Sequence, residues 1–189
     1  MSRPHFVVLA ALLFTTAATA AAEPSVPLGA PASGDSAIVL LGYRTKAPAA
    51  WLPRPPASSS RLAQFVLHGS DASSDAEVVV FFFAAAQGGN VDANVARWRS
   101  QFSTPDGSPV PETIARDSSG AFPVTTAEFR GTYRRGVGAG SADSVRTGQT
   151  LVASIVETPR GTLFIQLFGT TATVAAHRAE FAKFVRELK

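Results

Sequence analysis

The sharpest chemical feature of this 189-residue chain is a stripe of hydrogen-bonding side chains. Asn90, Asn94, Arg97 and Gln101 recur at i, i+4, i+7 and i+11, the spacing of one helix face. They follow Gly88-Gly89, and glycines ahead of a helix let backbone N–H groups approach a ligand where the helix dipole favours an anion. Gly89, Asn90, Asn94, Arg97 and Gln101 are therefore the candidate ligand-binding residues. Arg97 is the bidentate anion donor of the set, and the amides supply hydrogen bonds. The plainer alternative is a tight strand-to-helix turn followed by a solvated helix face. Neither G-x-G-x-x-G nor a Lys-Ser/Thr pair accompanies the glycines, so nucleotide binding is not implied.

Catalytic chemistry finds less to work with. A nucleophilic site needs a hydroxyl or thiol beside a base that a third group orients. Beyond the first residues only His68 and His177 could serve as imidazole base, and there is no G-x-S-x-G elbow. Ser70 lies near His68 in sequence, but strand-end neighbours rarely face each other. His68 reads as a rim residue and His177 as the border of a helix's apolar stripe. Asp71 and Asp75 lack the ligand rhythm of a calcium loop, and no H-x-x-x-H pair occurs, so neither a metal nor any other cofactor is expected. Paired-carboxylate chemistry needs two acids across a cleft, and Glu112, Glu128 and Glu157 are scattered.

Composition narrows the classes further. The chain has no cysteine, which excludes a disulfide framework, a thiolate metal site, a cysteine nucleophile and a lipidated cysteine anchor. Residues 1–22 carry Arg3, an apolar run from Phe6 to Phe14 and then small residues, the pattern of a signal peptide cleaved after Ala20 or Ala22. The run is shorter than the ~20 residues that span a bilayer. Removing residues 1–22 takes away one of 17 basic residues and none of the 14 acidic ones, and the near-balance does not imply nucleic acid. The protein is expected in the periplasm or outside the cell.

The elements that must position these residues follow from periodicity. Residues 23–36 are rich in Pro, Gly, Ala and Ser and read as a flexible lead-in to one domain over 37–189. Strands are expected over 38–46, 61–68 and 77–84, the last without alternation, as in a strand buried on both faces. Trp51 should pack at the core edge. The helix over 90–102 starts at an Asn90 cap and buries Val91, Val95, Trp98 and Phe102. Strands over 113–117, 122–126 and 127–134 follow, the last with Glu128, Arg130, Thr132 and Arg134 on a wet face. A Gly- and Ser-rich loop spans 136–148. Strands 151–157 and 162–168 flank Thr158-Pro159-Arg160-Gly161, a hairpin turn. A final helix over 173–188 buries Val174, Phe181, Phe184, Val185 and Leu188. The fold class is α+β, a mainly antiparallel sheet flanked by two helices.

The segment Gln87-Gly88-Gly89-Asn90-Val91-Asp92-Ala93-Asn94-Val95-Ala96-Arg97-Trp98 through Gln101-Phe102 resembles a family of uncharacterised exported bacterial proteins. Ala47-Pro48 with Trp51, Arg61-Leu62-Ala63-Gln64-Phe65, and Gly169 before a helix carrying Phe181 and Phe184 share that likeness, which covers most of 38–188. The layout is similar to PsbP/DcrB-like α/β/α sandwiches. The resemblance implies that fold and a binding or accessory role without catalytic residues. The favoured reading is a non-enzymatic periplasmic accessory or binding protein for an envelope protein or a small polar or anionic ligand. The alternative is a periplasmic hydrolase or lyase whose His68 or His177 meets an acid only in three dimensions. A third reading is an envelope protein that binds peptidoglycan or membrane-protein loops.

Overall fold

In a computed structural model of the chain, the described residues are 34–85, 87–118, 120–134 and 145–189. The signal segment, most of the lead-in and residues 136–144 of the expected loop lie outside them. Ten strands and two helices follow in the order β1 (Ser36–Leu40), β2 (Tyr43–Ala47), β3 (Trp51–Pro53), β4 (Arg61–Leu67), β5 (Ala76–Ala84), α1 (Val91–Arg99), β6 (Phe102–Ser103), β7 (Glu112–Asp117), β8 (Val124–Arg134), β9 (Val145–Thr158), β10 (Gly161–Thr170) and α2 (Thr171–Arg186). The main sheet runs β3-β4-β5-β10-β9-β8, and β6 and β7 both pair with the outer side of β8. Its ladders are antiparallel throughout. The α+β class with two flanking helices is the architecture the periodicity predicts.

The β9–β10 hairpin turns through Pro159-Arg160, with Thr158 paired to Gly161. Gly161 has φ 140°, and a Cβ there would lie 2.4 Å from the Phe83 carbonyl oxygen, so β5 can pass only a glycine. Alternation along β9 and β10 then feeds two cores. Val152, Val156, Leu163, Ile165 and Leu167 face α2 with Trp51, Phe65, Phe181 and Phe184. Leu151, Ala153, Ile155 and Phe164 face α1 with Val95, Trp98 and Phe129. Trp51 is 3 % exposed and belongs to the first core, as its place near the edge suggested. Among the described residues no helix is long and apolar enough to cross a membrane.

Four expectations need correction. The strand over 38–46 is a hairpin, β1 and β2, forming a separate two-stranded sheet. Leu41 and Gly42 have φ 53° and 90°, the double left-handed geometry of a two-residue turn, and a leucine there hides the signal. The helix from Asn90 ends at Arg99, because Phe102 pairs with Tyr133 in β6. Strands 122–126 and 127–134 are one strand, β8, and its supposed wet face is not wet at Glu128. That residue is 4 % exposed, because α2 lies over it and brings Arg178 Nη1 within 2.7 Å of Oε2, while Arg130 binds Oε1 at 2.5 Å. Finally, residues 145–148 of the expected loop are the start of β9. The double burial expected of β5 holds for Val78, Val79 and Val80 but fades to Phe83, 37 % exposed.

Candidate functional site

The polar stripe on α1 becomes a relay that builds the loop before it. Asn90 caps the helix, its Oδ1 accepting from the Ala93 N–H at 2.7 Å. Asn94 is buried, and its Nδ2 donates to the carbonyl oxygens of Gly88 at 2.8 Å and Asn90 at 3.0 Å. Its Oδ1 accepts from Arg97 Nη2 at 2.9 Å, and the Arg97 guanidinium lies 5.6 Å from the Trp98 ring centre. Gly89, with φ 69°, completes the turn. Thus Gly89, Asn90, Asn94 and Arg97 are brought together, with the Asn94 amide turned to its own backbone. Gln101 stands apart past the helix end, where its carbonyl oxygen accepts from the Arg134 N–H at 2.8 Å.

An open groove of about 580 Å³ begins where α1 begins. One wall is Gly89, Asn90 and Asp92; the other is the end of β7, with Arg116 and Asp117. The floor is the stretch of sheet that α1 leaves bare: Thr125, Ile155, Glu157 and Thr162. Cross-strand register sets these four in two pairs, Thr125 with Ile155 and Glu157 with Thr162. Arg116 Nη2 reaches across to Asp92 Oδ1 at 3.6 Å, an exposed pair that can part at little cost. Three carboxylates therefore meet one guanidinium. Thr125 is 5 % exposed as a residue and lines the groove; its hydroxyl makes no hydrogen bond among the described residues and is open to the groove rather than sealed in the interior. A hydroxyl that no neighbour engages, turned to an open groove, sits where a ligand could bond to it.

Of the residues singled out on the sequence, Gly89 and Asn90 line this groove, while Asn94, Arg97 and Gln101 do not. Arg116, Asp117, Thr125 and Thr162 were missed. They come from β7, β8 and β10 and converge only through strand pairing, which leaves no local spacing to read. Of the three scattered glutamates, Glu157 reaches the groove, Glu112 binds Arg99 through both oxygens, and Glu128 is held by two arginines.

The two imidazoles have acid partners outside the groove. His68 Nδ1 lies 3.2 Å from both Asp75 oxygens, with its side chain 63 % exposed. Asp75 also accepts from the Gly69 N–H at 3.0 Å; that bond first, and the His68 ring second, hold its carboxyl below the usual aspartate range. Asp71 is held down likewise by the hydroxyls of Ser73 and Ser70, as the cap of a single 3₁₀ turn at Ala72–Ser74. His177 Nδ1 meets Glu180 Oε2 at 2.9 Å, and the same oxygen accepts from Trp51 Nε1 at 3.3 Å, which ties α2 to β3. The hydrolase alternative required an imidazole–acid pair inside a cleft; the pairs form, and neither lines the groove. Among the described residues no three His, Asp or Glu gather in a way that could hold a metal ion.

No protein-family model matches the chain, and no curated protein matches it in sequence. Solved structures do. The chain is similar to CyanoP, the cyanobacterial PsbP of Synechocystis sp. PCC 6803, with TM-score 0.52 and 11 % identity over 86 % of this chain and 95 % of that one. LpqN, involved in cell envelope biogenesis of Mycobacterium tuberculosis, superposes with TM-score 0.49 and 12 % identity over 81 % of this chain and 87 % of LpqN. A protein of unknown function from Pseudomonas aeruginosa gives TM-score 0.46 and 15 % identity over 82 % and 96 %. The likeness to CyanoP establishes a PsbP-like fold.

Proposed function

We propose that the protein is an exported, non-enzymatic accessory or binding protein, and that its contact surface is the groove at the start of α1. The observation that carries this reading is the groove itself, with Thr125 on its floor presenting a hydroxyl that makes no hydrogen bond among the described residues and is open to the groove. Export rests on the leader-like composition of residues 1–22 and on the resemblance of the 87–102 segment to exported bacterial proteins. The absence of catalysis rests on the imidazoles, each tied to an acid away from the groove.

The lining also ranks the ligands. An anion would meet the helix start and Arg116, but also Asp92, Asp117 and Glu157. Three carboxylates against one guanidinium favour a neutral polar or cationic group, such as a hydroxyl-bearing sugar or a basic peptide segment of an envelope protein. The expected contact through Arg97 moves to Arg116.

The test is site-specific photo-crosslinking in the native host. A photoreactive residue at Asp92 should give a discrete adduct from the envelope fraction, and the same residue at Val39, on β1 and 63 % exposed, should not. Retention of the protein in the cytoplasm, or identical adducts from both positions, would overturn the reading.

A further inference from the structure

We propose that β7 is a self-pairing edge, through which two copies of the chain join antiparallel about Ile114 into one continuous sheet. The outer side of β7 is open among the described residues, since its ladder runs to β8 alone. All six of its side chains are exposed, and Ile114 is 42 % exposed on a strand with no apolar cover.

Hydrogen-bond parity selects the register. The Arg130 N–H donates to the Pro111 carbonyl oxygen at 3.2 Å, so residue 111 points its backbone groups at β8. Both groups of one residue point the same way in an antiparallel ladder. Residues 113, 115 and 117 therefore also face β8, and Glu112, Ile114 and Arg116 face outward. A second copy can bond only to those three, and the antiparallel register that uses all of them sets Ile114 opposite its own twin and Glu112 opposite Arg116 of the other copy.

That register is also the one the charges want. The side chains of residues 112, 114 and 116 lie on one face of the strand, so an apolar pair is flanked on each side by a Glu–Arg pair. Within each copy Glu112 is already bound by Arg99 and Arg116 lies beside Asp92. Across the join the row becomes Asp92, Arg116, then Glu112, Arg99 of the other copy, alternating in sign, and the two-fold axis repeats it. A parallel alignment would instead oppose Glu112 to Glu112. Charged residues on an edge usually discourage pairing; here they disfavour the parallel alignment and the antiparallel registers that set Glu112 or Arg116 opposite its own twin. The two α1 helices, each packed over β8, would stand about three strand spacings apart, ~14 Å, and do not collide.

The chain has no cysteine, so one introduced cysteine can react only with its twin. With a short bis-maleimide, Ile114→Cys should cross-link to dimer ~tenfold faster than Val39→Cys, although Val39 is the more exposed position. Sedimentation velocity across a concentration series should show a reversible monomer–dimer equilibrium. Ile114→Pro removes only an outward N–H, which an edge strand tolerates, and should weaken the dimer ~tenfold or more with the melting curve retained. Arg116→Glu should weaken it as well, by opposing like charges. Monomer at every concentration with equal cross-linking from both cysteines overturns the proposal. So does a dimer that survives Ile114→Pro and Arg116→Glu, and so does a monomer that loses capture of another envelope protein in Ile114→Pro, a position outside the groove, which would give the edge a different occupant.

Discussion

One face of the sheet is sealed and the other is not. α2 has 16 residues and α1 has nine, rods of roughly 24 and 14 Å at 1.5 Å per residue. β9 and β10 beneath them run roughly 46 and 33 Å at 3.3 Å per residue. α2 packs on β9, β10 and β2, and its core takes in Trp51, Phe65, Phe181 and Phe184. Polar groups on that face are drawn together: Thr126 with Ser154 at 2.8 Å, Thr150 with Thr171 at 2.9 Å, and Glu128 ion-paired to two arginines, although its Oε2 makes no well-formed hydrogen bond. α1 is too short to do the same, and the sheet beyond its first turn is the groove floor. Function is therefore sought where cover runs out.

The sealed face should be the expensive one to damage. Phe184 is fully buried, with the Trp51 and Phe65 ring centres 5.2 and 6.4 Å away. Phe184→Ala should cost ~3–5 kcal/mol through lost burial and the cavity left behind, read as a lower urea midpoint at unchanged slope. A loss below ~1 kcal/mol would mean that α2 is not the anchor of the core. Next comes the buried carboxylate. Arg178 is half exposed, so its contact with Glu128 is partly screened, but removing it leaves Glu128 with Arg130 alone. Arg178→Ala should cost ~1–2 kcal/mol, mostly as the desolvation of a stranded oxygen. Equal stability of the variant would show that water reaches this face after all.

Legibility divides along the same line. The α2 face was readable because its apolar stripe has helical period and its hairpin carries Pro and Gly at turn positions: Val174, Phe181, Phe184, Val185 and Leu188 are all buried as expected. The cap at Asn90 was readable because it is local. Glu128 was misread because strand alternation says which residues share a face but not what later covers it, and the covering residue is 50 positions away. The groove failed for the same reason. Asp117, Thr125 and Glu157 meet through the β7–β8–β9 register and Asp92 joins them from the start of α1, and no window of sequence contains them. The stripe was seen, but its central amide, Asn94, spends its hydrogen bonds on Gly88 and Asn90.

That assignment makes a smaller prediction on the open face. Asn94→Ala removes both donor bonds and should cost ~1 kcal/mol. It should also loosen residues 88–90, seen as faster amide exchange there with α2 unaffected. Arg97→Ala removes only an exposed donor and should move stability by less than ~0.5 kcal/mol. If the two variants behave alike, Asn94 does not build the groove wall.

The finest contrast lies between two neighbours on β8. Thr125 faces the groove and Thr126 faces α2, one residue and one face apart. Thr126→Val strands the Ser154 hydroxyl, 1 % exposed, and should cost ~1–2 kcal/mol. Thr125→Val takes away a hydroxyl that bonds to nothing described, and a methyl of the same shape is at home against Ile155. The expected change is within ~0.5 kcal/mol of zero and on the stabilising side. A ligand that satisfies Thr125 reverses the order: adduct yield at Asp92 should fall in Thr125→Val and persist in Thr126→Val. If Thr125→Val instead costs as much as its neighbour, the hydroxyl has a partner inside the domain, and the groove loses the one group that marks it as a place for something else.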